Sequence, residues 1–365
     1  MEIAGRSEDE VISYLTARKS EDLGYTRILS SMCTTPHPIA VKAHILFLDT
    51  NLGDPGLFPG TASMERELIG HLANLYHHPA AGGYATSGGT ESNIQALRIA
   101  RAQKKTRSPN VIVPRSAHFS FQKACDILGL EMRHAPLDRH YRMDPGEVEP
   151  LIDSDTVALV GVAGTTEYGM VDPLAALSDI AEDRDLLLHV DAAFGGLVLP
   201  FIAGAPPFDF RLPGVDTISV DPHKMGMSTI PAGCLLVRNP DLLSSLEVET
   251  PYLTVKREYT LSGTRPGASV AAALAVLVHL GRDGMEAVVA GCMKNTRRLI
   301  DGMETLGWPA AVEPDVNVAT FVCDRVPPGW QVSRTRTGHL RIVCMPHVHR
   351  ETVEAFLSDM EAYAC

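Results

Sequence analysis

A chain of 365 residues, with 45% hydrophobic and 21% charged residues, has globular proportions and length for one large core and a smaller one, not those of a disordered chain or a fibre. Its net charge of −12, with no run of Lys or Arg, argues against a nucleic-acid partner. The seven cysteines, Cys33, Cys125, Cys234, Cys292, Cys323, Cys344 and Cys365, form no CxxC pair, so reduced thiols in the cytoplasm are expected rather than a metal centre or a disulfide framework.

Met1 to Ser20 is charged and lacks an apolar core, which excludes a targeting segment from this reading. Ser7-Glu8-Asp9-Glu10 is a capping box that predicts a short helix through Val11, Ile12 and Leu15. Helical spacing returns at Met64, Leu68, Leu72 and Leu75, and again after Thr90 at Ile94, Leu97 and Ala100. Strands are then expected at Asn110–Pro114, Thr156–Ala163, Leu186–Ala192, Asp216–Val220 and Gly233–Arg238. Helices at Phe119–Leu128 and Leu174–Arg184 alternate with them, the second opened by Asp172-Pro173. Continuous apolar strands alternating with helices predict a mostly parallel sheet covered on both faces. Ala268 to Leu280, interrupted by His279, is too short for a membrane span and reads as a buried helix. Val318–Cys323 and Leu340–Met345 suggest a smaller sheet, and Glu351–Tyr363 a closing helix. The expected division is an N-terminal helical segment over 1–50, a large domain over 51–270 and a small C-terminal α/β domain over 271–365.

Four short runs carry chemistry. Ser219-Val220-Asp221-Pro222-His223-Lys224-Met225-Gly226 puts a lysine just past a buried strand, where open α/β sheets bind their ligands. Any single lysine is usually a surface residue, but here Pro222 fixes the backbone, His223 offers an anion a donor and Gly226 permits a tight turn. Thr86-Ser87-Gly88-Gly89-Thr90-Glu91-Ser92-Asn93 is a small, hydroxyl-rich turn opening into a helix, whose free N–H groups suit a phosphate; alone it is equally a capped loop. Asp191, in His189-Val190-Asp191-Ala192-Ala193, ends an apolar strand, where a carboxylate needs a cationic partner or caps a loop. His118, in Ser116-Ala117-His118-Phe119-Ser120, also follows a strand and can stack on a flat ring or shuttle protons, or be a structural histidine. One cofactor accounts for all four. Pyridoxal phosphate needs a Schiff-base lysine, an acid at its pyridine nitrogen and an anion cradle. A Walker loop and a GxGxxG after a strand are both absent.

These runs, with SMCTTPHPIA, TNLGDPGLFPGT, GVAGTTEYGMVDP, ETPYLT, SGTRPGA and LRIVCMPH, span nearly the whole chain in order. Together they resemble the group II pyridoxal-phosphate decarboxylases, and within them the archaeal branch that acts on tyrosine and aspartate in methanofuran and coenzyme A biosynthesis. The resemblance implies a fold-type I, aspartate-aminotransferase-like architecture and a homodimer with shared active sites. It implies that Lys224 holds the cofactor covalently, that Asp191 pairs with the pyridine nitrogen, and that Ala193 and His118 lie against opposite ring faces. Gly89, Thr90 and His223 would hold the phosphate, Thr166 would contact a ring substituent, and Gly263 and Thr264 would reach the phosphate of the neighbouring subunit. Arg341 matches a substrate-carboxylate arginine, and Tyr252 is the nearest tyrosine for protonating the product. The expected reaction is decarboxylation of L-tyrosine to tyramine, of L-aspartate to β-alanine, or both. L-glutamate decarboxylation, another fold-type I lyase reaction and a catalytically dead homologue remain open.

Overall fold

The computed structural model describes residues 4–364, so Cys365 and the first three residues of the expected N-terminal segment lie outside the described residues. Helix α1 (Glu8–Lys19) begins at the expected capping box, with Ser7 and Glu10 bonding each other's backbone N–H. Helices α2 (Pro38–Leu46) and α3 (Pro59–Leu75) lead into strand β1 (Gly82–Thr86) and helix α4 (Gly89–Gln103). The alternating part follows as β2 (Asn110–Pro114), α5 (Ser120–Leu128), β3 (Glu131–Ala135), β4 (Thr156–Val162), α6 (Leu174–Arg184), β5 (Leu187–Asp191), β6 (Val215–Val220) and β7 (Gly233–Val237). After α7 (Asp241–Ser244), a short hairpin pairs β8 (Val248–Glu249) with β9 (Arg257–Glu258). The chain closes with α8 (Gly267–Thr305), β10 (Val318–Phe321), β11 (Ser333–Arg334), β12 (Leu340–Val343) and α9 (Arg350–Ala364).

Seven strands form the large sheet in the order β1-β7-β6-β5-β4-β2-β3. Strands β3, β2, β4, β5 and β6 run parallel, and β7 is antiparallel to both β6 and β1. The carboxyl ends of β1, β2, β4, β5 and β6 therefore share one edge. Strands β2 and β4 are buried along their whole length, as expected of parallel strands covered on both faces. The smaller sheet, β10-β12-β11, is antiparallel.

Helix α8 crosses the expected boundary at 270/271. Its residues through Cys292 pack into the large core with α2 and α3, whereas Leu299, Ile300 and Met303 pack with Phe321, Ile342 and Phe356 in the small one. Gly281, at φ 59, bends it in a conformation that L side chains rarely adopt. By length and composition α8 resembles a membrane span, but its first ten residues except Ala275 are buried in protein. The run Ala268–Leu280 thus lies in a helix longer than its sequence suggests, buried over its first part and exposed at Val278.

Candidate active site

The shared strand edge encloses a cavity of about 280 Å³. Gly89, Thr90, His118, Thr166, Asp191, Ala193, His223 and Lys224 all line it, together with Ser87, Gly88, Asn93, Ser116, Val162, Gly164, Phe194 and Asp221. Residues up to 137 positions apart in sequence meet here because most follow or end neighbouring strands.

Lys224 lies in the turn after β6, which is closed by Lys224 N–H to Asp221 O at 3.0 Å and Met227 N–H to Lys224 O at 3.1 Å. Its Nζ stands 3.1 Å from Asp221 Oδ2. Burial works against the ammonium, but Asp221 and Asp191 outweigh it and hold the Lys224 pKa above the ordinary lysine value. On the other flank, Gly88 and Gly89 start α4. Gly88 has φ 149, and a Cβ there would meet His223 Cε1 at 3.1 Å. A Cβ on Gly89 would meet Ala193 Cβ at 3.0 Å, so only glycines leave this helix N-terminus open to the cavity. His223 Nδ1 contacts Ala232 O at 2.6 Å, which turns its Nε2 toward the cavity side, 3.8 Å from Asp221.

Asp191 is 6% exposed at the end of β5. Its carboxylate accepts from Asn93 Nδ2 at 3.0 Å, Ala193 N–H at 3.1 Å and Ser219 Oγ at 3.2 Å. His118 packs on Phe119 with ring centroids 3.9 Å apart and accepts from Ser120 N–H at Nδ1. Burial lowers the His118 pKa, against the pull of Asp191. Among the described residues, two cavity-wall groups, Asp221 Oδ1 and Ser116 Oγ, are buried with no hydrogen-bond partner. Such groups cost stability unless something else satisfies them.

Pyridoxal phosphate fits this donor set. The glycine-only cradle with His223 suits its phosphate, Lys224 its aldehyde and Asp191 its ring nitrogen. The orphaned Ser116 Oγ offers a further polar contact to a bound group.

The remaining expected residues lie elsewhere in the chain. Tyr252 is 85% exposed in the β8–β9 hairpin, and Gly263 and Thr264 are exposed in the segment before α8. Arg341 is buried beside the cavity rather than lining it. It donates to Thr166 O through Nε and to Ser30 O and Ser333 Oγ through Nη1, both at 3.0 Å, while its Nη2 has no partner. Burial lowers its pKa to about 10, which leaves it charged at neutral pH. Asn93, Ser116 and Asp221 are wall residues not singled out from sequence. Asn93 had a faint signal, since it falls one helical turn after Gly89 and so on the same face of α4.

The pyridoxal-dependent decarboxylase conserved domain matches residues 50–323. The chain belongs to this family. The decarboxylase is 68% identical, over 99% of both chains, to a Methanoculleus marisnigri protein named probable L-tyrosine/L-aspartate decarboxylase. It is 50% identical, over 96% of its length and 98% of the relative's, to a probable L-aspartate decarboxylase from Archaeoglobus fulgidus. Among solved structures, the decarboxylase resembles a Burkholderia pseudomallei sphingosine-1-phosphate lyase at TM-score 0.91 and 27% identity, covering 100% of this chain and 92% of that one. A Lactobacillus brevis glutamate decarboxylase shares the fold at TM-score 0.89 and 22% identity, covering 100% and 94%. The fold-type I expectation and the pyridoxal-phosphate expectation are both met, and the enzyme is an amino-acid decarboxylase.

Proposed function

We propose that this decarboxylase converts L-tyrosine to tyramine, L-aspartate to β-alanine, or both, with release of CO₂. The observation that carries the substrate is 68% identity over 99% of the chain to a protein named for those two amino acids. The products would serve methanofuran and coenzyme A biosynthesis in the cytoplasm, as the sequence resemblance implies.

When bound, the cofactor supplies an electron sink for the pair released as the carboxylate leaves. Lys224 would hold it covalently and would give way to the substrate amine. Asp191 would pair with its ring nitrogen, and Ala193 and His118 would lie against the ring. Gly89, Thr90 and His223 would hold the phosphate, and Thr166 would contact a ring substituent. The unpartnered Nη2 of Arg341, next to Thr166, supports a role in holding the substrate carboxylate. His118 or Tyr252 returns a proton to the substrate Cα.

A homodimer is part of this reading. Val11, Ile12 and Leu15 on α1, and Val41, Ile45 and Leu46 on α2, are all exposed in the single chain, and no residue of α1 is buried. A second copy would cover such apolar surface and would bring the exposed Tyr252, Gly263 and Thr264 to the neighbouring cavity. Purified enzyme loaded with pyridoxal phosphate should release tyramine from tyrosine, β-alanine from aspartate, or both, faster than it forms 4-aminobutyrate from glutamate. Release of 4-aminobutyrate alone would overturn the substrate assignment.

A further inference from the structure

Behind the cavity runs a polar chain that none of the roles above uses. Thr217 on β6, His189 on β5 and Asn93 on α4 are each no more than 1% exposed. Thr217 Oγ1 lies 2.9 Å from His189 Nδ1, and His189 Nε2 lies 2.9 Å from Asn93 Oδ1. Asn93 Nδ2 donates to Asp191 Oδ2 at 3.0 Å and to Ser120 Oγ at 2.9 Å.

The direction of this chain is fixed by valence. Asn93 spends both Nδ2 hydrogens on Asp191 and Ser120, so its Oδ1 must accept. His189 Nε2 therefore carries the hydrogen, its Nδ1 accepts, and the Thr217 hydroxyl donates. Burial keeps His189 neutral by lowering its pKa well below the usual histidine value, which is what a ring accepting on one side and donating on the other requires. From Thr217 through His189 to Asn93 the donors run one way and end on Asp191, apart from the Asn93 branch to Ser120, and the Asp191 oxygens also receive Ala193 N–H and Ser219 Oγ–H.

We infer that His189, Asn93 and Thr217 are positioning residues for Asp191: a one-way donor relay that orients its carboxylate and leaves it acceptor capacity, rather than a proton, to offer the ring nitrogen. A proton shared between Asp191 and that nitrogen then stays on the ring. The inference rests on the proposed placement of Asp191 opposite the ring nitrogen. Asn93 also lines the cavity, so a change there mixes two effects, whereas His189 and Thr217 do not line it.

The test uses holoenzyme loaded with pyridoxal phosphate carrying ¹⁵N in the ring, whose chemical shift reads protonation of that nitrogen. His189→Leu should move the signal toward the unprotonated form and lower kcat about three- to tenfold, the scale of one lost buried hydrogen bond, with KM changed less than about twofold. His189→Gln, which can present an N–H to Asn93 Oδ1, should recover most of the shift and of the rate. A wild-type ¹⁵N position in cofactor-loaded His189→Leu would overturn the relay, and so would equal shifts in the Leu and Gln variants. If His189→Leu does not fold, the pair Thr217→Val and Thr217→Ser decides: a displaced signal in Val but not in Ser supports the relay, and no displacement in either overturns it. Asp191→Asn separates the two layers. An unmoved signal in that variant means that Asp191 is misplaced, whereas a moved one with His189→Leu unmoved sinks only the relay.

Discussion

Two regions carry expected active-site residues, and they differ in nearly every physical respect. At the ends of β5 and β6, Asp191 is buried and holds three donors, and Lys224 is ion-paired within a closed turn. Between residues 248 and 264, Tyr252 is 85% exposed and Gly263 has no atom within 4 Å of where a Cβ would sit. The first region is complete within one chain. The second makes sense as active-site material only if another copy receives it. On the proposed reading, covalent and electrostatic work belongs to the sheet edge, and closure of the site to segments that one chain leaves in water.

After removal of Lys224 itself, the most damaging change on the rigid side should be Asp191→Asn. Cofactor should still bind, while kcat falls about a hundredfold or more, because a preorganised charge aimed at the ring is lost. A rate within about twofold of wild type, measured by CO₂ release, would remove Asp191 from the reaction. Arg341 lies on β12, beside the cavity and bonded to Thr166 O. Arg341→Gln should raise KM about tenfold, the loss of one charge-assisted contact, with a smaller change in kcat. Since Arg341 also ties Thr166 O to Ser30 O, circular dichroism must first show the variant folded.

The exposed region is sharpened by mixing subunits. If Thr264 serves a neighbouring cavity, Thr264→Ala should weaken cofactor affinity about five- to tenfold, for one lost hydrogen bond to a charged group. Co-refolding Lys224→Ala with Thr264→Ala chains should leave one of the two sites in each hybrid carrying both defects and the other carrying neither, restoring tight cofactor binding at that site. Equal weak binding at all sites would mean that Thr264 acts within its own chain.

The smallest effect is on pH-dependent stability. The folded chain keeps His189 neutral down to a pKa of about 4, whereas in the unfolded chain it titrates near 6.5. Between those values the unfolded state binds more protons. Stability is therefore full above about pH 6.5 and is lost as pH falls toward 4. The urea midpoint of wild type should decline more steeply over that window than that of His189→Gln. Parallel curves would mean that His189 does not contribute this limb.

The same contrast governs how much could be read from sequence. Strands β2, β4, β5 and β6 were legible because burial on both faces demands continuous apolar runs, and the residues just past them were legible because such sheets bind at that edge. Strand β1 was missed because Gly82 and Gly83 break its pattern, and Gly83 is required where a Cβ would strike Leu235 O. Strand β3, Glu131-Met132-Arg133-His134-Ala135, was missed because it is a sheet edge with mostly half-exposed or exposed side chains and no apolar run. The relay was invisible for a different reason. Asn93, His189 and Thr217 lie on three elements, and nothing in their own neighbourhoods announces that the fold brings them into contact. Helix α8 hid the division of the cores, because one long helix, kinked at Gly281, serves both.

The proposed reading turns on Lys224 holding pyridoxal phosphate at the shared strand edge. Enzyme loaded with the cofactor, reduced with borohydride and digested should yield one pyridoxyl-bearing peptide, which mass spectrometry places on Lys224. Lys224→Ala treated identically should carry no label and show no turnover. A label on another lysine of the wild-type protein, or full turnover by Lys224→Ala, would place the covalent anchor elsewhere.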